Sequence, residues 1–323
     1  KLPRQLYPMN KSRHHQPPFS WMVLTLVAIP LFGAESIFED ATKSLNLGIG
    51  GGQVAWGDFN NDGWEDLHDG SLWVNNRGKK FLRFTGADPS GHGIWGDYNN
   101  DGWLDFYSWS NGKLYRNESG KKFVDVTPKA LAERPMKVSR GAAWVDIDND
   151  GYLDLYVAGY EIWQKEVYPD ALYRNMGGKD FVAHELPKVR NMSARGVSAA
   201  DFDADGDVDV YVSNYRLFPN RLWRNDGEGK FTEIATPSGT AGDGGLGTWG
   251  HTIGSAWGDL DNDGYLDLFV GNFSHPPAYQ DRPKFLRNRG PEFLAPCVRH
   301  RRATGQRQWQ RVCCWQHLRQ RDR

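Results

Sequence analysis

The sequence predicts an all-β chain folded as a β-propeller of four-stranded blades, and three observations point to it. An Asp-rich nonapeptide recurs five times, β-branched and aromatic runs of strand length flank the copies, and an Asn/Gly turn opens a further strand after each one. Self-similarity at a near-constant spacing marks a repeat architecture. Four short antiparallel strands per repeat make one propeller blade.

The two ends differ in kind from the body between them. The formal net charge of −1 conceals 27 basic and 39 acidic residues over 35–294, a net of −12. Residues 1–34 hold a basic stretch (Lys11, Arg13), an apolar run from Trp21 to Phe32, then Gly33 and Ala34. That order is expected of a secretory signal. The run has 12 residues and contains Pro30, too short for a membrane-crossing helix, which needs about 20. The mature chain is therefore expected to be extracellular, or periplasmic or surface-held in a bacterium, with no membrane span. Met9 is a more natural start than Lys1. Residues 295–323 carry eight Arg against Asp322 and all three cysteines, with no strand or helix period. A shifted reading frame near residue 294 is expected to produce this tail, and neither it nor the acidic body predicts a nucleic-acid partner. The body at 35–294 has no cysteine, so no disulfide framework supports it.

The repeat reads DFNNDGWED (58–66), DYNNDGWLD (97–105), DIDNDGYLD (146–154), DFDADGDVD (201–209) and DLDNDGYLD (259–267), at spacings of 39, 49, 55 and 58 residues. Calcium takes six to eight hard oxygens, and alternate residues of a tightly wound loop can all turn inward to supply them. Candidate side-chain ligands stand at positions 1, 3, 5 and 9. They are Asp58, Asn60, Asp62 and Asp66; Asp97, Asn99, Asp101 and Asp105; Asp146, Asp148, Asp150 and Asp154; Asp201, Asp203, Asp205 and Asp209; and Asp259, Asp261, Asp263 and Asp267. Position 7 would add a backbone carbonyl, from Trp64, Trp103, Tyr152, Asp207 and Tyr265. Gly at position 6 suits the sharp turn. The cofactor expected is Ca²⁺, about five ions at one per loop. Loops 3 to 5, with Asp at position 3, are expected to bind more tightly than loops 1 and 2.

An EF-hand would need a bidentate Glu at position 12 and flanking helices. Here position 12 is Asp69, Ser108, Val157, Val212 and Val270, and the flanks have strand composition. The loop therefore joins strands 1 and 2 of a blade. Strands 3 and 4 are expected in LWVNNRGKKF, LYRNESGKKF, LYRNMGGKDF, LWRNDGEGKF and FLRNRGPEF. Trp56, Trp95, Trp144 and Trp257 precede their loops and are expected to pack between blades. Residues 38–42 (FEDAT) read as a fourth strand arriving before the first blade. With a fourth strand also starting near Phe293, the five blades are expected to belong to a larger propeller.

Connections in a strand meander alternate between faces. The 2–3 connections, and the 4–1 segment before loop 5, are therefore expected opposite the calcium loops. They are long in blades 3 to 5 and carry Tyr160, Trp163, Tyr215, Phe218, Trp249, His251, His275 and Tyr279. Long loops on a rigid scaffold are where binding resides, so this face is a candidate surface for a protein or glycan. Of the body's 39 acids, 18 are assigned to calcium, and no nucleophile elbow, zinc-helix or phosphate-loop motif is present. The reading is therefore of a non-catalytic adhesion or binding module, with a calcium-dependent polysaccharide lyase or glycosidase as the alternative. Asn117, Asn191 and Asn272 lie in N-x-S sequons.

The D-x-[DN]-x-D-G-x-x-D loop within a strand hairpin resembles the FG-GAP/VCBS repeats of integrin-type propellers. The surrounding AWGD…LDLYV…LYRN…G…F text resembles the ASPIC/UnbV, cartilage-acidic-protein-like group, over roughly residues 36–293. The resemblance implies calcium at Asp58, Asn60, Asp62 and Asp66 and at their equivalents. It departs from that group in showing five blades where seven is usual, and no C-terminal ASPIC/UnbV module.

Overall fold

The structure, a computed structural model, describes residues 38–49, 52–242, 249–273 and 282–290. The chain divides into residues 1–40 and residues 41–323, and every described strand lies in the second unit. The signal segment and the basic tail lie outside the described residues, as do His275 and Tyr279.

The unit is a five-blade β-propeller built from antiparallel meanders. Blade 1 is β1 (Ala55–Gly57), β2 (Asp66–His68), β3 (Leu72–Asn75) and β4 (Phe81–Arg83). Blade 2 is β5 (Ile94–Gly96), β6 (Asp105–Ser108), β7 (Lys113–Asn117) and β8 (Phe123–Asp125). Blade 3 comprises β9 (Ser139–Val145), β10 (Asp154–Gly159), β13 (Ala171–Asn175) and β14 (Phe181–His184). Its 2–3 connection carries a separate small hairpin, β11 (Glu161–Ile162) with β12 (Glu166–Val167). Blade 4 is β15 (Ala194–Ala200), β16 (Asp209–Asn214), β17 (Arg221–Asn225) and β18 (Phe231–Glu233). Blade 5 shows three described strands, β19 (Thr252–Gly258), β20 (Asp267–Asn272) and β21 (Lys284–Leu286). One-turn helices α1 (Lys129–Ala132) and α2 (Ala235–Ser238) follow β8 and β18.

Blades 1 to 4 each push the residue at loop position 2 into the next blade. Phe59 stacks on Trp95 at 6.2 Å and 12°, and Phe202 on Trp257 at 6.4 Å and 21°. Tyr98 meets Phe181 at 5.8 Å, and Ile147 enters the core formed with Val210 and Trp223. The glycines before loops 1 and 2 make room for that neighbour. A Cβ on Gly57 would lie 2.9 Å from Trp95, and one on Gly96 2.5 Å from Trp144.

The two end faces lack this cover among the described residues. Leu260, the position-2 residue of loop 5, is 65% exposed, where Phe59 is 1%. Trp56, which would receive a preceding blade, is 55% exposed, and a Cβ on Gly258 would meet nothing within 4 Å. The Trp56 ring meets Phe81 of its own blade at 6.1 Å.

The strand expected at residues 38–42 is not formed. A turn over residues 42–46 occupies the position instead, with Leu45 N–H bonded to Ala41 O and Asn46 at φ 59°. A fourth strand needs a third beside it, and the described residues offer none there. The turn instead ties to β4, where Phe81 N–H donates to Leu45 O at 2.7 Å.

Candidate metal loops and the opposite face

All five loops share one backbone plan. At position 1 each Asp accepts two backbone N–H groups: Asp58 those of Asp62 and Gly63, Asp97 those of Asp101 and Gly102, Asp146 those of Asp150 and Gly151. Asp201 and Asp259 do the same in loops 4 and 5. The position-5 Asp accepts from the N–H of position 7, as Asp62 does from Trp64 and Asp263 from Tyr265. Position 4 is left-handed throughout: Asn61, Asn100, Asn149, Ala204 and Asn262 have φ between 55° and 58°. Asn adopts that region more readily than most side chains. Gly at position 6 follows with φ of 85–96°. Left-turning residues at positions 4 and 6 wind the chain tightly, and in loops 3 to 5 three of the acids converge.

The position-9 Asp is buried in every loop, at no more than 1% exposure. One carboxylate oxygen accepts the N–H of the third-strand Asn: Asp66 from Asn75 at 2.7 Å, Asp154 from Asn175 at 2.6 Å, Asp209 from Asn225 at 2.8 Å. The second oxygens of Asp66 and Asp105, and an oxygen of Asp203, are buried with no hydrogen-bond partner. Burial pushes Asp66 and Asp105 up to about 7, Asp154 to about 6 and Asp209 to about 8, and neighbouring loop carboxylates add to the rise. Buried carboxylates with spare oxygens facing other acids are a donor set for a hard cation. In Asp146, Asp148 and Asp154, in Asp201, Asp203 and Asp209, and in Asp259, Asp261 and Asp263, one oxygen of each lies within 4.8 Å of the others; such groups can hold a metal ion.

Several working residues were not singled out from the sequence. The Asn of LYRN is a hub. Its amide donates to the position-2 carbonyl of the preceding blade, as Asn117 to Phe59 (2.7 Å), Asn175 to Tyr98 (2.8 Å), Asn225 to Ile147 (2.9 Å) and Asn288 to Phe202 (2.7 Å). Position 4 also links loops: Asn61 donates to Gly102 O and Asn100 to Gly151 O, both at 2.9 Å, and Asn149 to Asp207 at 2.8 Å. The Arg of the same motif reaches two position-3 acids, as Arg174 pairs with Asp148 and Arg287 with Asp261 (2.6 Å). Recurrence of Asn in all five copies of the third-strand motif, and of Arg before it in four (Val74 stands there in the first), was the available signal. Asn117 is 2% exposed and fully engaged, so its sequon is closed in the folded state.

The described aromatics of the long connections lie at the strand ends remote from the loops. Tyr215 meets His251 edge-on at 4.7 Å, and Arg195 lies 5.5 Å over Tyr160 and 4.8 Å over Tyr215. Arg216 lies 3.7 Å over Trp163. Phe218 packs under Arg190 at 5.0 Å, and Trp249 joins the core of blades 4 and 5. Beneath them a buried network joins blades 3 and 4. Arg221 pairs with Asp170 at 2.7 Å, Tyr156 O–H donates to Asp170 at 2.8 Å, and Trp223 Nε1–H donates to Tyr156 at 2.9 Å. Asp170 is nonetheless pushed up, burial outweighing the Arg221 charge.

Comparison with known proteins gives a family model, FG-GAP-like repeat, matching residues 97–157 and 213–270. No curated protein matches the chain. Among solved structures, an Agrocybe aegerita lectin, described as recognising non-reducing terminal N-acetylglucosamine, is 15% identical. The match covers 75% of this chain and 68% of that one, with a TM-score of 0.45. The V. cholerae biofilm matrix protein Bap1 is 16% identical over 67% of this chain and 34% of its own, with a TM-score of 0.37. The Photorhabdus luminescens Tc holotoxin pore is 15% identical over 72% and 11%, with a TM-score of 0.37. This chain thus spans about a third of Bap1 and about a tenth of the toxin chain. No helix among the described residues is long and apolar enough to cross a membrane. The blade topology makes this a β-propeller, and two stretches of it, residues 97–157 and 213–270, match the FG-GAP-like repeat.

Proposed function

We propose that the chain is a secreted β-propeller stabilised by calcium, acting without catalysis as an extracellular binding module. The face opposite the loops takes a protein or glycan. Within propellers of its kind it belongs with the ASPIC/UnbV, cartilage-acidic-protein-like group. The observation that carries the reading is the buried position-9 carboxylate, repeated in five loops beside further inward-facing acids. Such a group has little reason to persist without a cation to offset its desolvation. Asp66, Asn60 and the inward carboxylates of Asp58 and Asp62 would hold one ion, and the equivalents the others. The ion supplies charge neutralisation and crosslinks the ends of each loop. Support for the binding face comes from aromatics and arginines gathered where the long connections meet, Trp163 being 57% exposed.

A thermal melt of the full chain in millimolar calcium, against chelator and against magnesium, tests the metal reading. A rise of many degrees with calcium alone is expected; a folded protein with no calcium-dependent shift would overturn it. Ligand binding is tested by protein and glycan arrays with wild-type protein and with Trp163→Ala/Tyr215→Ala. Screening polysaccharides for released product is expected to give none.

A further inference from the structure

We infer that the mouth formed by blades 3 and 4, opposite the metal loops, is a site for an acidic saccharide, one bearing carboxylate or sulfate groups. The inference rests on the proposed binding role of that face and names its ligand class.

Arg140 and Arg195 occupy the same position in successive blades, six residues before the first Asp of their loops, near the starts of β9 and β15. The equivalent residues elsewhere are Gly52, Gly91 and Ile253, so only these two blades set a cation there. Both guanidiniums pack on one ring, Tyr160, at 5.6 and 5.5 Å. The row continues through Tyr215 to Arg216, which lies 5.1 Å over Tyr215 and covers one side of Trp163. Cations and aromatic rings therefore alternate across the mouth.

The charges here are unequally matched. Glu161 is taken by Arg216 at 2.6 Å, and Asp170 by Arg221. Among the described residues no acid pairs with Arg140 or Arg195. Arg195 Nε is moreover buried with no hydrogen-bond acceptor, a costly state for a charged donor. This cationic mouth sits in a body of net charge −12, so it is a local reversal of sign.

Planar guanidinium forks match carboxylate and sulfate oxygens in pairs. Tyr160 and Tyr215 are buried beneath the arginines, but Trp163 is 57% exposed and offers flat apolar surface at low entropic cost, on which the C–H face of a sugar ring can lie. An acidic peptide would satisfy the arginines but leave the exposed indole of Trp163 without a matching flat partner. The combination therefore favours an acidic saccharide.

The test measures binding of the full-length protein to size-defined oligogalacturonate, a dextran sulfate oligomer, neutral dextran and poly-glutamate, at two salt concentrations. Oligogalacturonate or dextran sulfate should bind, identifying carboxylate or sulfate as the group, with weakening at high salt. Arg140→Gln and Arg195→Gln should each lose about tenfold, as a charged hydrogen bond implies, and the double variant more. Arg140→Lys, which keeps the charge but not the fork, should recover only part. Calcium-dependent melts confirm that each variant is folded; if Arg195→Gln is not, Arg140→Gln carries the test alone. Unchanged acidic-saccharide affinity in folded Arg140→Gln overturns the inference, as does preference for poly-glutamate. Binding of neutral dextran, or of an array ligand without charge, lost on Trp163→Ala, overturns it while leaving the binding role of the face intact. No ligand of any kind on this face sinks both.

Discussion

Asp209 shows how one residue can serve both the fold and the proposed metal site. It is fully buried, receives the N–H groups of Asn225 and Phe202, and is pushed up to about 8 chiefly by burial. Asp66, Asp105 and Asp154 behave alike, at about 7, 7 and 6. The folded, metal-free protein thus holds protons that the unfolded chain releases near pH 4. A folded pKa above the unfolded one means that stability falls as pH rises from about 4 toward 8. Melts in chelator should therefore show a lower Tm at pH 8 than at pH 5.5, and an equal or higher Tm would refute the assignment. Calcium must displace these protons, so its apparent affinity should rise over the same window, measurable by titration calorimetry. Arg174 competes for Asp148 in loop 3. Arg174→Ala should tighten that loop several-fold, as removal of one nearby positive charge predicts; a weaker site would show that the arginine instead organises it.

Blades were legible because the loop repeats; interfaces between blades were not. Strand 1–loop–strand 2 follows from the Asp-Gly spacing, and of the four Trp before loops 1, 2, 3 and 5, Trp95, Trp144 and Trp257 pack between blades as expected. Trp56 has the same sequence context yet is 55% exposed, so context alone could not separate them. Phe59→Ala, which opens a cavity against Trp95, Phe84 and Phe123, should cost about 3–5 kcal/mol. Leu260→Ala at the uncovered position should cost less than about 1 kcal/mol, and urea unfolding would compare them. Similar losses would mean that Leu260 is covered in solution. The Asp170–Arg221 pair was also invisible in sequence, the partners being 51 residues apart in different blades. Asp170→Ala strands a buried guanidinium and should cost about 3–5 kcal/mol; a loss below 1 kcal/mol would mean that the network contributes little.

At the scale of the whole molecule, acids concentrate in the Asp-rich loops, and Arg140, Arg195 and Arg216 gather with aromatics at the opposite strand ends. Alternation of connections in a meander predicted that division for Tyr160, Trp163 and Tyr215, since strand polarity follows from chain order. It did not predict which charges would be left over. By itself the sequence determined the blade and its Asp-rich loop, because each depends on residues within one repeat; the handover of position 2 to the next blade emerged only in the tertiary structure. Tertiary structure alone decided that Arg140 and Arg195 share one tyrosine while Arg216 and Arg221 are neutralised. Pairing and desolvation depend on distances between blades, and those distances are set by packing rather than by the order of residues within a repeat.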